Sequence, residues 1–76
     1  MNKLYEAAYA KAEAQKLEAM ATLDVYFNNA VGIGEHPDLL TEVDKYVELL
    51  ASAHDKLGVL KLIRDNNAQE NQQEGN

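Results

Sequence analysis

The sequence predicts an all-α fold, an antiparallel two-helix hairpin that dimerises into a four-helix bundle and ends in a disordered polar tail. Three observations carry that reading. The only proline and two of the four glycines fall together in "NNAVGIGEHPDLL", residues 28–40, so the chain is punctuated near its middle. On either side lie long stretches rich in Ala, Leu, Glu, Lys and Gln, strong helix formers, with apolar residues recurring at spacings of three and four. After Ile63 no large apolar residue follows, and the chain closes on "RDNNAQENQQEGN".

Seventy-six residues make one small domain. A chain of this size seldom buries enough apolar surface to be stable without a staple, a metal or a second copy. There is no cysteine, which excludes disulfides and thiolate metal sites and leaves the redox compartment undetermined. No apolar run approaches the roughly 20 residues needed to cross a bilayer. The opening "MNKLYEAAYAKAEAQK" carries charges every few residues and does not read as a signal peptide. A soluble, cytoplasmic protein with no membrane partner is the expectation.

The first helix is expected over about residues 3–30. At about 100° per residue, Tyr5, Tyr9, Ala12, Ala19, Met20, Leu23, Phe27 and Ala30 gather on one face. Lys16 falls in the middle of that face. Its stem is expected to lie over Ala53 while the ammonium snorkels to water, or reaches Glu13 or an acid on another chain.

Residues 31–37 form the turn. Gly32 and Gly34 suit the left-handed conformation in which helices commonly end. Pro37 fits the first position of the next helix, with Asp38 just inside it and Glu35 just before, near the positive end of the helix dipole.

The second helix is expected over about residues 38–65. Leu39, Val43, Tyr46, Leu50, Ala53, Leu57 and Leu60 alternate by four and three, a coiled-coil seam, and Leu40 and Val47 widen it. Packed antiparallel, the helices should set Leu23 against Tyr46, Met20 near Leu50 and Tyr9 near Leu60. Gly58 either permits another helix to approach or is merely tolerated. Residues 66–76 lack the apolar surface to offset the entropy of ordering and are expected to be a disordered tail.

The stretch "VGIGEHPDLL", with Tyr26 to Asn29 before it, resembles a segment of short, uncharacterised proteins of tailed bacteriophages, notably marine ones that infect cyanobacteria. The resemblance covers the turn and its flanks, and Ala30 stands where the pattern often has proline. It implies a helical hairpin of phage origin acting in the host cytoplasm or the virion, and it implies no activity.

The residues point away from catalysis. His36 beside Glu35 and Asp38 is one imidazole with two short carboxylates, and such a group rarely converges on a metal; helix capping explains it better. The "GIG" run lacks the following Lys-Ser/Thr and preceding strand of a phosphate loop. Ser52, Thr22 and Thr41 have no base at useful spacing, and Glu42 and Asp44 point to different sides of a helix. His54 reads as a partly buried or interfacial histidine, and the tyrosines with Phe27 as core. No enzyme activity, metal or cofactor is therefore expected.

The net charge of −6 argues against nucleic acid, because Lys45, Lys56, Lys61 and Arg64 are interleaved with acids and form no basic face. What remains is a protein–protein interaction module that binds a host or phage protein, with a minor virion or assembly component as the alternative. Val59, Leu62 and Ile63 spread around the second helix beyond what the first can cover. A second copy is the economical cover, giving a homodimer joined at the end remote from the turn. Glu35 and His36, exposed at the other end, are the second candidate contact.

Overall fold

The computed structural model describes residues 3–28 and 38–74, with side chains as far as Asn67. They form two α-helices, α1 over Lys3–Asn28 and α2 over Leu39–Glu74. The expectations for Val31 to Pro37, including Glu35 and His36, lie outside the described residues. Three cross-helix contacts fix the direction of packing. The Tyr5 hydroxyl donates to the Leu60 carbonyl oxygen at 2.5 Å, Lys56 Nζ donates to Gln15 Oε1 at 3.3 Å, and the rings of Tyr26 and Tyr46 lie 6.0 Å apart. Numbers rise along one helix as they fall along the other, so the hairpin is antiparallel.

The α2 seam forms as its spacing predicts. Leu39, Val43, Tyr46, Leu50 and Leu60 are half-buried, while Ala53 and Leu57 are buried. The α1 seam differs from the expected face. Tyr5, Ala12, Ala19 and Tyr26 recur every seven residues, with Tyr9, Lys16 and Leu23 between them, and all are at least half-buried. Phe27, expected in the core, is 63 % exposed, and Met20 is 48 % exposed. The reason is the period. At 3.6 residues per turn the face drifts from Leu23 to Phe27, but a helix wound around a partner keeps a 3.5-residue seam, which selects Tyr26. The ring against Tyr46 is therefore Tyr26, and the atom that reaches Leu60 belongs to Tyr5. Met20 and Leu50 do line a common groove, as expected.

The centre of the seam is alanine. Ala12, Ala19 and Ala53 retain 2 %, 0 % and 1 % of their accessible surface, and Leu23 and Leu57 complete the buried set. Aromatic rings bracket this narrow centre. Tyr5 and Tyr9 stand 6.2 Å apart at one end, and the Tyr26–Tyr46 pair stands at the other. Lys16 is half-buried in the seam, with no carboxylate at ion-pair distance among the described residues, which leaves its ammonium at the groove rim.

Both ends of α2 differ from expectation. The Asp38 carbonyl accepts the bond from the Glu42 amide at 3.1 Å and helical geometry begins at Leu39, so Asp38 is the N-cap rather than a first-turn residue. Aspartate is among the residues that favour that position, because its carboxylate can satisfy free first-turn amides. At the other end the backbone keeps helical geometry to Glu74, where composition places a tail from residue 66. No glycine or proline follows Gly58 before Gly75, so the ladder of i to i+4 bonds continues. Arg64 to Asn67 are all exposed, so this extension leaves the packed hairpin. With about 1.5 Å rise per residue, the 36 residues of α2 outreach the 26 of α1 by roughly 15 Å.

Two substitutions test the seam. Ala19→Leu should cost about 1–3 kcal/mol by forcing apart helices that meet over a methyl. The loss should appear as a lower denaturant midpoint at nearly constant slope. Tyr5→Phe keeps the ring and deletes the hydrogen bond to the Leu60 carbonyl, so a smaller loss of about 0.5–1.5 kcal/mol is expected in the same measurement. Unchanged stability would leave the ring alone as the contribution of Tyr5.

Candidate functional site

A pair of helices has two grooves, one on each side of the seam. One groove is lined by Ala8, Lys11, Gln15, Ser52, Asp55, Lys56 and Val59. The other is lined by Lys16, Met20, Val47, Leu50, Ala51 and His54. Val59 therefore belongs to one side of the rod, and Met20 with Val47 to the other.

Val59, Leu62 and Ile63 keep 54 %, 61 % and 44 % of their surface, and Leu4, 81 % exposed, lies near the same end of the hairpin. The three predicted partner-binding residues of α2 thus lie close together, outside the seam. Ile63 follows Lys56 by seven residues and Val59 by four, which continues their side of the helix. Glu35 and His36 cannot be joined to this face, since they lie outside the described residues.

The opposite groove carries the larger set, which the sequence reading assigned partly to the core. Met20 and Phe27 are seven residues apart, as are Leu40 and Val47, so each pair holds one heptad position along the groove. Leu40 is 81 % exposed, Val47 45 % and Leu17 66 %. Leu40 and Val47 widen the apolar surface of α2, but they do so outside the contact with α1. The signal was available in the seven-residue spacing of Tyr5, Ala12, Ala19 and Tyr26, which displaces Phe27 from the seam. His54 is exposed at this groove rather than partly buried.

The polar groups offer little chemistry. Ser52 shares its groove with Asp55 and Lys56, but Lys56 donates to Gln15, and neither residue hydrogen-bonds Ser52 among the described residues. A nucleophile needs such a base within about 3 Å. Among the described residues no three His, Asp or Glu side chains are grouped to hold a metal ion. The Lys45 ammonium stands 5.5 Å from the centre of the Tyr46 ring, a cation–π contact within α2. Arg64 and Asp65, neighbours in sequence, form a 3.6 Å ion pair with both side chains largely exposed, which contributes little to stability. No described helix is long and apolar enough to cross a membrane.

No family model, no curated protein and no solved structure matches the chain.

Gly58 lies in the interior of α2, and a methyl built there meets nothing within 4 Å. Within one chain the glycine accommodates no close neighbour. Gly58→Ala should therefore stabilise the helix by about 1 kcal/mol, seen as a higher melting temperature. A lower melting temperature at high protein concentration would instead show that another chain passes over Gly58.

Proposed function

We propose that the chain is a non-enzymatic protein–protein interaction module, one that pairs with a second copy and docks another protein through Val59, Leu62 and Ile63. The observation that carries this reading is that alanines hold the centre of the seam while Leu4, Leu17, Phe27, Leu40 and Leu62 lie exposed outside it. The accessible surface is 5950 Å² for a mass of 8.4 kDa, whereas a compact monomer of that mass exposes about 4,600 Å². The elongated shape of the hairpin, 63 × 17 × 17 Å, and the projecting end of α2 contribute to that excess. Contiguous apolar surface of this kind marks interaction sites in soluble proteins.

The likeness of the turn to tailed-phage proteins supports a phage setting, with a host or phage protein as the partner and the host cytoplasm as the compartment. Glu35 and His36 are proposed as a second, polar contact for that partner.

Val59→Glu with Ile63→Glu tests the docking face, because both residues are exposed and their replacement should leave helicity intact. Immobilised native chain is expected to retain a host or phage protein at fixed stoichiometry, and the double variant to lose it. Retention of the same protein by the variant would place docking elsewhere. Recovery of the chain from purified phage particles, with no partner bound in host lysate, would favour a virion component instead.

A further inference from the structure

The groove opposite the docking face already has a pattern that selects its occupant. Its apolar stripe runs through Leu17, Met20 and Phe27 on α1 and Leu40 and Val47 on α2, each at least 45 % exposed. Acids flank the stripe toward the turn. Asp24 lies four residues after Met20 and three before Phe27, and Asp44 lies four after Leu40 and three before Val47. At the other end Lys16 and His54 line the groove beside Met20 and Val47. Lys16 is half-buried there without an acid in reach among the described residues. Asp24 accepts a 2.6 Å hydrogen bond from the Asn28 amide, which leaves its second carboxylate oxygen for another donor.

We propose that this groove is the seat of the second copy, in an antiparallel dimer whose two-fold axis passes near Met20 and Val47. The inference rests on the self-association in the proposed function and names the face that performs it. A two-fold contact buries the same patch on both partners, so the stripe must be self-complementary. Turning the partner end for end sets the apolar stripe on itself and carries Lys16 and His54 of one copy toward Asp24 and Asp44 of the other. A parallel pair would instead set Lys16 beside Lys16 and Asp24 beside Asp24, which like-charge repulsion disfavours. The antiparallel arrangement also leaves Val59, Leu62 and Ile63 free, because they lie on the other side of the rod and near the end remote from the turn. A dimer so built presents two docking faces, one at each end.

Mass by light scattering at high micromolar concentration, with helicity by circular dichroism, tests the arrangement. The native chain should be a dimer and Met20→Glu with Val47→Glu a helical monomer. Lys16→Glu alone, and Asp24→Lys with Asp44→Lys, should each weaken the dimer by tenfold or more. An equimolar mixture of those two charge variants should restore it as a heterodimer in native mass spectrometry. A dimer that survives Met20→Glu with Val47→Glu, or one lost in Val59→Glu with Ile63→Glu, would overturn the choice of face. Failure of the mixture to recover would overturn the antiparallel register. A native monomer would remove self-association altogether, while retention of a partner through Val59 and Ile63 would still uphold the docking half of the proposed function.

Discussion

Where two helices meet over side chains no larger than a methyl, their backbones approach closely, and the hairpin is built that way at its centre. Ala12, Ala19 and Ala53 are almost completely buried, and no larger side chain would fit there without parting the helices. The choice has a thermodynamic consequence. A buried methyl contributes about 0.8 kcal/mol, against about 1.5–3 kcal/mol for a leucine side chain, so a seam centred on alanine draws little stability from its own core. Leu23 and Leu57 are the large apolar side chains that the fold buries. Small domains are only marginally stable even with a full core, which makes the apolar surface left outside this one energetically important.

The ends of the seam compensate in a different way. Aromatic rings are too large for the alanine section and fit where the helices have room beside it, so Tyr5 with Tyr9 and Tyr26 with Tyr46 bracket the centre. A tyrosine there buries much of its ring and still finds a polar partner for its hydroxyl, as Tyr5 does at the Leu60 carbonyl. That bond ties side chain to backbone across the seam and helps to fix the register. Lys16 is the counterexample, a cation at a seam position that neither helix neutralises. Its stem can cover the neighbouring alanines, but its charge must be met at the rim, by water or by another chain.

The same register distributes function over the surface. Because the seam keeps a seven-residue period, the positions that flank it also recur every seven residues, and the outward apolar residues separate onto opposite sides of the rod. One side ends in Val59, Leu62 and Ile63, and the other runs from Leu17 to Phe27 and from Leu40 to Val47. Among the described residues no three His, Asp or Glu side chains are grouped to hold a metal ion.

The sequence by itself determined the helices, the break between them and the α2 seam. These follow from propensity, from the position of proline and glycine, and from a three-four spacing that any helix must express on one face. It did not determine which residues of α1 turn inward beyond Leu23. Tyr26 and Phe27 are equally credible there, because an isolated helix at 3.6 residues per turn and a supercoiled one at 3.5 choose differently. Only the partner helix makes that choice, by holding Tyr26 against Tyr46 and leaving Phe27 outside. The same is true of Leu40 and Val47, which composition marks as apolar but cannot assign to a side of the rod. Residue identity fixes what a helix would bury. The tertiary structure decides what one neighbour has room to cover, because two cylinders in contact can shield only a narrow strip of each other.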